Sequence, residues 1–306
     1  MPAAPLDHAG LRSGMTLSFP ADSRSGTRVR LSSGTEPAAA TPHAATYADG
    51  AVVPRGPWRP PSCHEHGILY GTPKPGVLSG DWIAIVAVPD SVLDGFAPLR
   101  ADAAAGNERA LDASINGPAG RLAFVEAIRW ATTRTDPTRP GVESPMVYGI
   151  LPTGAATMTT GSHGRRVGLH VDSWYNAPLK DRAAAPNRLS INLGDHDRYL
   201  LCVNTPLPVM AEALREHGIT AGATHPSYGL GMRFLAEFPH YPVTRITVHP
   251  GEAYLAPTEN MLHDGYAEPH GQIDLQFSCR GRFPPPGNAG PTSGREGNDG
   301  FVPLRD

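Results

Sequence analysis

The chain has 306 residues and a formal net charge of -3, from 26 Lys and Arg against 29 Asp and Glu. This balance argues against nucleic acid or an anionic membrane surface as the partner and favours a small molecule. The hydrophobic content of 40% suffices for one sizeable core. Gly (34) and Pro (33) together exceed a fifth of the chain, which favours short strands, turns and loops and argues against an all-helical protein.

The cysteines are few and far apart in the sequence. Cys63, Cys202 and Cys279 predict neither a disulfide framework nor a CxxC zinc site, and they fit a reducing compartment. The pattern of a signal peptide and the long apolar run of a membrane span are both missing. We therefore expect a cytoplasmic protein with no membrane partner, and the sequence predicts no oligomeric state.

Three regions are predicted along the chain. Residues 1–60 are rich in Ala, Ser, Thr, Gly and Pro and are expected to form a loose extension or cover strands. Residues 61–283 are expected to form a single domain with helical cover, and 284–306 a disordered tail. Within the domain, 82–88 is predicted as a buried strand and 121–132 as a helix. The polar segment 89–120 is expected to form a lid over the site.

Strand signals accumulate in the second half of the chain. They predict a mainly β fold with added helices, a sandwich or a barrel. A polar hairpin is expected at 195–197, and helices are expected at 208–217 and 232–238. The predicted strands lie at 146–152, 165–174, 187–194, 198–204, 243–250, 251–257 and 272–279.

His170 and Asp172 form the first chemically suggestive pair. Two residues apart on an extended strand, their side chains share one face, so that an imidazole nitrogen and a carboxylate oxygen can reach one ion. A third ligand from a distant strand would complete the facial set of two His and one carboxylate that leaves positions open on Fe(II). His263, after a short apolar strand and a polar connection, is the natural candidate.

Arginines on two strands accompany this set. On the last strand Leu275, Phe277 and Cys279 share one face, and the other face carries Gln276, Ser278, Arg280 and Arg282. In an enzyme with helices outside, the polar face lines a cavity where an Arg fork binds a carboxylate. Arg188, on a strand that alternates in the same way, raises the same question, and for Arg188 and Arg280 alike a solvated strand end is the alternative.

From Gly168 to Arg282 the chain resembles the Fe(II)/2-oxoglutarate-dependent oxygenases. The resemblance rests on His170-Val171-Asp172, on the segment leading to His263, and on the arginine that follows. It implies a double-stranded β-helix (jelly-roll, cupin-like) core with iron ligands His170, Asp172 and His263. The family's arginine usually lies closer to the second histidine, often with a hydroxyl residue two positions on. Arg280, Arg282 and Arg188 therefore compete for the distal carboxylate of 2-oxoglutarate.

The resemblance implies an oxidoreductase that uses O2 and 2-oxoglutarate to oxidise a C–H bond. Asp172 favours hydroxylation, desaturation or cyclisation, because halogenating relatives have Gly or Ala at that position. The substrate is expected to be a small molecule, such as an amino acid or a secondary-metabolite intermediate. Trp174, Tyr175 and Asn176 follow the metal-binding segment and are candidates for substrate contact, although Trp174 would serve equally as packing.

Two other classes of protein remain open. A cupin-type metalloenzyme that needs no 2-oxoglutarate would use the same three ligands and no arginine on the last strand. In a non-catalytic β-sandwich binding module, the three residues would not converge at all. Glu259 and Asn260, shortly before His263, are expected to orient it.

Overall fold

A computed structural model describes residues 11–20, 25–71, 80–219 and 228–285. It is rich in β structure with added helices. The strands are β1 (Thr16–Ser18), β2 (Val29–Leu31), β3 (Thr35–Pro37), β4 (Val52–Pro54), β5 (Trp82–Ala87), β6 (Val142–Ile150), β7 (Asn187–Asn192), β8 (Arg198–Cys202), β9 (Thr244–Val248), β10 (Glu252–Ala256), β11 (His263–Ala267) and β12 (Asp274–Gly281). The helices are α1 (Ser25–Arg28), α2 (Cys63–Leu69), α3 (Asp90–Leu93), α4 (Ala97–Ala104), α5 (Glu108–Asn116), α6 (Pro118–Thr132), α7 (Leu207–Glu216) and α8 (Tyr228–Glu237).

The strands form two main open sheets. The six-stranded sheet has the order β1-β5-β10-β7-β12-β6, and the four-stranded sheet has the order β11-β8-β9-β2. Only β1 and β5 pair in parallel; the other neighbours in these sheets are antiparallel. A separate pair, β3 and β4, is also antiparallel.

The outer face of the six-stranded sheet is covered by helices. Leu189, Ile191, Leu275 and Phe277 are fully buried there in one cluster with residues of α3 to α6. The predicted alternation of β7 and β12 is therefore confirmed. The segment 89–120, expected to be a lid, instead forms helices in this layer, because its apolar side chains pack against the apolar face of the sheet and against one another. Polar Arg188 lies on the opposite face, so these helices and the predicted site are on different sides of the sheet.

The inner face of the six-stranded sheet packs against the four-stranded sheet. Ile83 and Ile85 of β5 share a core with Val29, Leu31 and Ile246 from the other sheet, and this burial of apolar surface holds the two sheets together. A polar contact also crosses the gap, where Arg198 Nη1 of β8 donates to Gln276 Oε1 of β12 at 2.5 Å.

For residues 1–60, the described part agrees with the alternative of cover strands and not with a loose extension, because β1 extends one sheet, β2 extends the other, and Leu17 and Leu31 are buried in the shared core. One expectation about a connection needs correction. Residues 195–197 do not form a hairpin, because β7 and β8 belong to different sheets and the segment crosses from one to the other. Of the predicted tail, only Pro284 and Pro285 lie among the described residues.

Apart from the strand predicted at 165–174, the remaining predicted elements are found with small shifts at their ends. The helices expected at 121–132, 208–217 and 232–238 correspond to α6, α7 and α8. None of the helices in the described parts of the chain combines the length and the apolar character that a bilayer crossing would require.

Candidate metal centre

His170 lies next to His263 through backbone pairing. The amide of His170 donates to the carbonyl of His263 at 3.0 Å, and the reverse bond measures 2.8 Å. This bridge is isolated, so the regular strand predicted at 165–174 is an irregular extended segment instead. Gly168 explains part of the irregularity: it has φ +72°, and a Cβ there would lie 2.5 Å from the carbonyl oxygen of Val52.

The three predicted ligands converge. Asp172 Oδ1 lies 3.8 Å from His170 Nε2 and 3.9 Å from His263 Nε2. One ligand atom from each residue can be chosen so that all three lie within 4.8 Å of one another. The sequence alone places His170 and His263 93 positions apart, and the bridge between the irregular segment and β11 brings them into contact.

The donor set fits a divalent metal ion. Ligand atoms bound to one ion at about 2.1 Å lie about 3 to 4 Å apart, close to the spacing found here. His170 Nδ1 faces the carbonyl of Gly168 at 2.9 Å, and His263 Nδ1 faces that of Met261 at 3.4 Å. Each Nδ1 is therefore expected to carry the ring proton and donate it to its carbonyl. Each Nε2 lone pair is then free and directed at the point between the three side chains.

The electrostatics of Asp172 and His263 favour the protonation states that a metal needs. Burial raises the pKa of Asp172, but Arg188 and the two histidines lower it by more, so that the pKa lies well below its usual range. Arg188 Nη2 donates to Asp172 Oδ2 at 2.7 Å, which leaves Oδ1 toward the histidines. Burial lowers the pKa of His263 to about 4, so its imidazole is neutral near pH 7.

Asp264 is a supporting residue that the sequence analysis missed. Its Oδ2 lies 3.5 Å from His170 Nδ1. Its Oδ1 accepts from the amides of Met158, Thr159 and Gly265. A carboxylate behind a metal-binding histidine fixes the ring and makes it a stronger ligand. The one feature of the sequence that could have identified Asp264 is its position directly after His263. The residues expected to orient His263 were instead Glu259 and Asn260.

Glu259 and Asn260 have other contacts. Glu259 Oε1 accepts from the amide of Tyr175 at 3.1 Å, and Asn260 Nδ2 donates to the carbonyl of Gly80 at 2.8 Å. Arg182, which is 1% exposed, donates to the carbonyl of Glu259 at 2.7 Å and to that of Asp172 at 3.4 Å. These residues therefore hold the backbone around the ligands.

The four predicted cofactor-binding residues have different hydrogen-bond partners, although Arg188 and Arg280 are paired directly across β7 and β12. Arg188 contacts Asp172 directly, as described. Arg280, 9% exposed, donates from Nη2 to Ser144 Oγ at 2.6 Å. Ser278 Oγ donates to the carbonyl of Leu189 at 3.4 Å. Arg282 lies beyond the end of β12, where its Nη1 donates to the carbonyl of Ala184.

Trp174 and Tyr175, two of the three candidate substrate residues, have their rings next to the guanidinium of Arg280. Its guanidinium carbon lies 4.3 Å from the ring centre of Trp174 and 5.8 Å from that of Tyr175. Both rings are unusually open to solvent, with Trp174 62% and Tyr175 40% exposed. Asn176 has φ 44°, which turns the chain directly after them. The tyrosine hydroxyl also bonds Glu143.

Comparison with known proteins adds no relative. No family model matches the chain, and no significant match is found among curated proteins or solved structures.

Proposed function

We propose that the protein is an Fe(II)- and 2-oxoglutarate-dependent oxygenase that hydroxylates, desaturates or cyclises a small molecule at a C–H bond. The observation that carries the proposal is the convergence of His170, Asp172 and His263. Two histidines and one carboxylate on one face leave the remaining positions of an iron ion open for a cosubstrate and oxygen. The two facing sheets support a double-stranded β-helix core for this site.

The residues of the chain have separate tasks in this proposal. Asp172 supplies a carboxylate held anionic and oriented by Arg188, and His263 supplies a neutral imidazole. Asp264 and the carbonyl of Gly168 hold the ring of His170. When bound, iron with 2-oxoglutarate and O2 supplies the oxidant for an unactivated C–H bond. Trp174 and Tyr175 contact the substrate, and their packing on Arg280 places them at the exposed rim.

Arg280 is the preferred partner of the distal carboxylate of 2-oxoglutarate. It extends from the polar inner face of β12, and a guanidinium fork binds a carboxylate with two parallel hydrogen bonds. Arg188 is less suited to this role because Asp172 already engages it. Arg282 is less suited because it lies beyond the end of β12.

The test is an anaerobic titration of metal-free protein with Fe(II) and 2-oxoglutarate, followed by the weak visible charge-transfer band of the ternary complex. We expect the band in the wild type, none in His263→Ala, and a weaker affinity for 2-oxoglutarate in Arg280→Ala. Arg282→Ala is the matched control and should titrate like the wild type.

Each other result points to a different protein. Metal binding without a band would favour the cupin-type metalloenzyme that needs no 2-oxoglutarate. Equal titration of Arg280→Ala and Arg282→Ala, with weakening in Arg188→Ala, would move the cosubstrate to Arg188. Failure to bind Fe(II) at all would leave the non-catalytic binding module.

A further inference from the structure

A cavity open to solvent lies on the outer face of the four-stranded sheet. Its volume is about 310 Å³, at the lower end of the size range of small-molecule pockets, and its lining includes Trp58, Arg245, Tyr266 and Glu268. Strand alternation places Arg245 and Tyr266 on the face opposite to His263. The cavity is thus separate from the candidate metal centre.

Register explains why these side chains meet. Tyr266 of β11 pairs directly with Tyr199 of β8, and their ring centres are 5.6 Å apart. Arg245 of β9 pairs with Arg30 of β2, whose side chain is exposed. Trp58 precedes Arg59, which forms an isolated bridge with Leu31 of β2. Aromatic side chains therefore lie beside the two arginines of β2 and β9.

Arg245 is held in place mainly by aromatic stacking. Its guanidinium carbon lies 4.7 Å from the ring centre of Trp58 and 4.8 Å from that of Tyr199. Its Nε is buried without a hydrogen-bond partner among the described residues. The carboxylate of Glu268 lies 3.9 Å from Nη1, too far for a hydrogen bond. Stacking therefore orients the guanidinium and leaves donors for a ligand.

Glu268 supplies the opposite charge beside Arg245 in the same cavity. Its side chain is 56% exposed, and its Oε2 accepts from the hydroxyl of Tyr266 at 2.8 Å. An oriented guanidinium and an oriented carboxylate this close together, beside aromatic rings, match the two charges and the apolar side chain of one small zwitterion. An anion without an ammonium group would meet Glu268 unfavourably.

We propose that this cavity binds a free α-amino acid with an apolar or aromatic side chain. Arg245 binds the α-carboxylate, Glu268 binds the α-ammonium, and Trp58 with Tyr266 contacts the side chain. Binding here does not depend on the metal centre or on the proposed oxygenase activity.

The probe is L-phenylalanine, titrated into the full chain by calorimetry beside N-acetyl-L-phenylalanine and L-phenylalaninamide. A charge-assisted hydrogen bond contributes about 1.5 to 3 kcal/mol, so loss of either charge should weaken binding about 10- to 100-fold. We therefore expect both analogues to bind at least about tenfold more weakly than the amino acid. Arg245→Gln and Glu268→Gln should weaken L-phenylalanine by a similar factor.

Two controls separate this cavity from other sites. Arg165→Gln changes an exposed arginine at another surface and should bind like the wild type, as should His263→Ala. Glu268→Gln alters a largely exposed side chain, so it tests the cavity even if Arg245→Gln fails to fold. The proposal is overturned if no saturable binding occurs, if both analogues bind as well as L-phenylalanine, or if binding is lost in His263→Ala and kept in Arg245→Gln and Glu268→Gln.

Discussion

Asp264 shows how one side chain outside the ligand set controls the candidate metal centre. It is buried, 1% exposed, and ties the ring of His170 to the segment around Thr159. The prediction that His170, Asp172 and His263 lie together agrees with the structure, which brings them within reach of one ion. For His170 and Asp172 this could be predicted because residues two apart on extended chain share a face. It could not place Asp264, because the contact depends on an isolated bridge between segments far apart in the chain.

Asp264→Asn should weaken metal binding. The amide keeps an oxygen for the surrounding amides but loses the charge opposite His170, and loss of such a partner typically lowers metal affinity about 10- to 100-fold. Titration with Co(II), followed by its visible absorption, measures the effect. Asp195→Asn, in the exposed connection after β7, is the control, and equal affinities for the two variants would show that Asp264 does not support the site.

His263 should make the metal-free protein sensitive to acid. Its folded pKa is about 4 and its unfolded pKa about 6.5, so between these values the unfolded state binds more protons. Stability from this residue is complete above about pH 6.5 and falls as the pH drops toward 4, by at most about 1.4 kcal/mol per pH unit. Urea unfolding of metal-free protein at several pH values measures the slope.

His263→Asn isolates this contribution. The raised pKa of His170, where burial opposes the stronger effect of Asp264 and Asp172, acts in the opposite direction and is retained in the variant. Stability of the wild type should therefore fall more steeply than that of the variant between pH 6.5 and 4.5. Parallel curves would contradict a buried neutral His263.

At the scale of elements, the helical layer depends on the apolar face of β12. Phe277 is fully buried, and its ring centre lies 6.0 Å from that of Phe124 in α6. The alternation of β12 was predictable because apolar and polar residues alternate over its length. The helices between 89 and 120 were not predicted, because short helices rich in Ala, Asp and Gly resemble a polar loop until they pack.

Phe277→Ala should destabilise the protein by about 3 to 5 kcal/mol, since it opens a cavity between β12 and α6. The free energy of unfolding in urea measures the loss. Val125 lies in α6 and is 41% exposed. Val125→Ala is the control and should change stability by less than about 1 kcal/mol. Similar losses for the two variants would contradict the packing of α6 on this face.

Strand β11 was also missed, because His263–Ala267 has too few apolar residues to signal a strand. Its pairing with β8 depends on the neighbouring sheet. Tertiary context can thus make a strand from a segment with weak intrinsic preference. The same context fixes the position of His263, which is why the sequence identified the residue but not its element.

For the whole molecule, metal binding should couple to stability. The ligands come from an irregular segment and from β11, and they are brought together only in the folded state. Co(II) at a hundredfold excess over its dissociation constant should stabilise the protein by about 2.7 kcal/mol. The melting temperature should rise with Co(II) in the wild type and stay constant in His263→Ala, and an equal rise in both would place the ion elsewhere.

Two backbone hydrogen bonds join the amides and carbonyls of His170 and His263. An ion bound by both side chains would add a removable cross-link at the same point. It would close a loop of some ninety residues, and a cross-link of that span restricts the unfolded chain much as a disulfide does. A chelator would then act as a reductant does on a disulfide-bonded protein. It would release one local opening motion, seen as faster deuterium exchange at these two amides, while the sheets on either side remain protected.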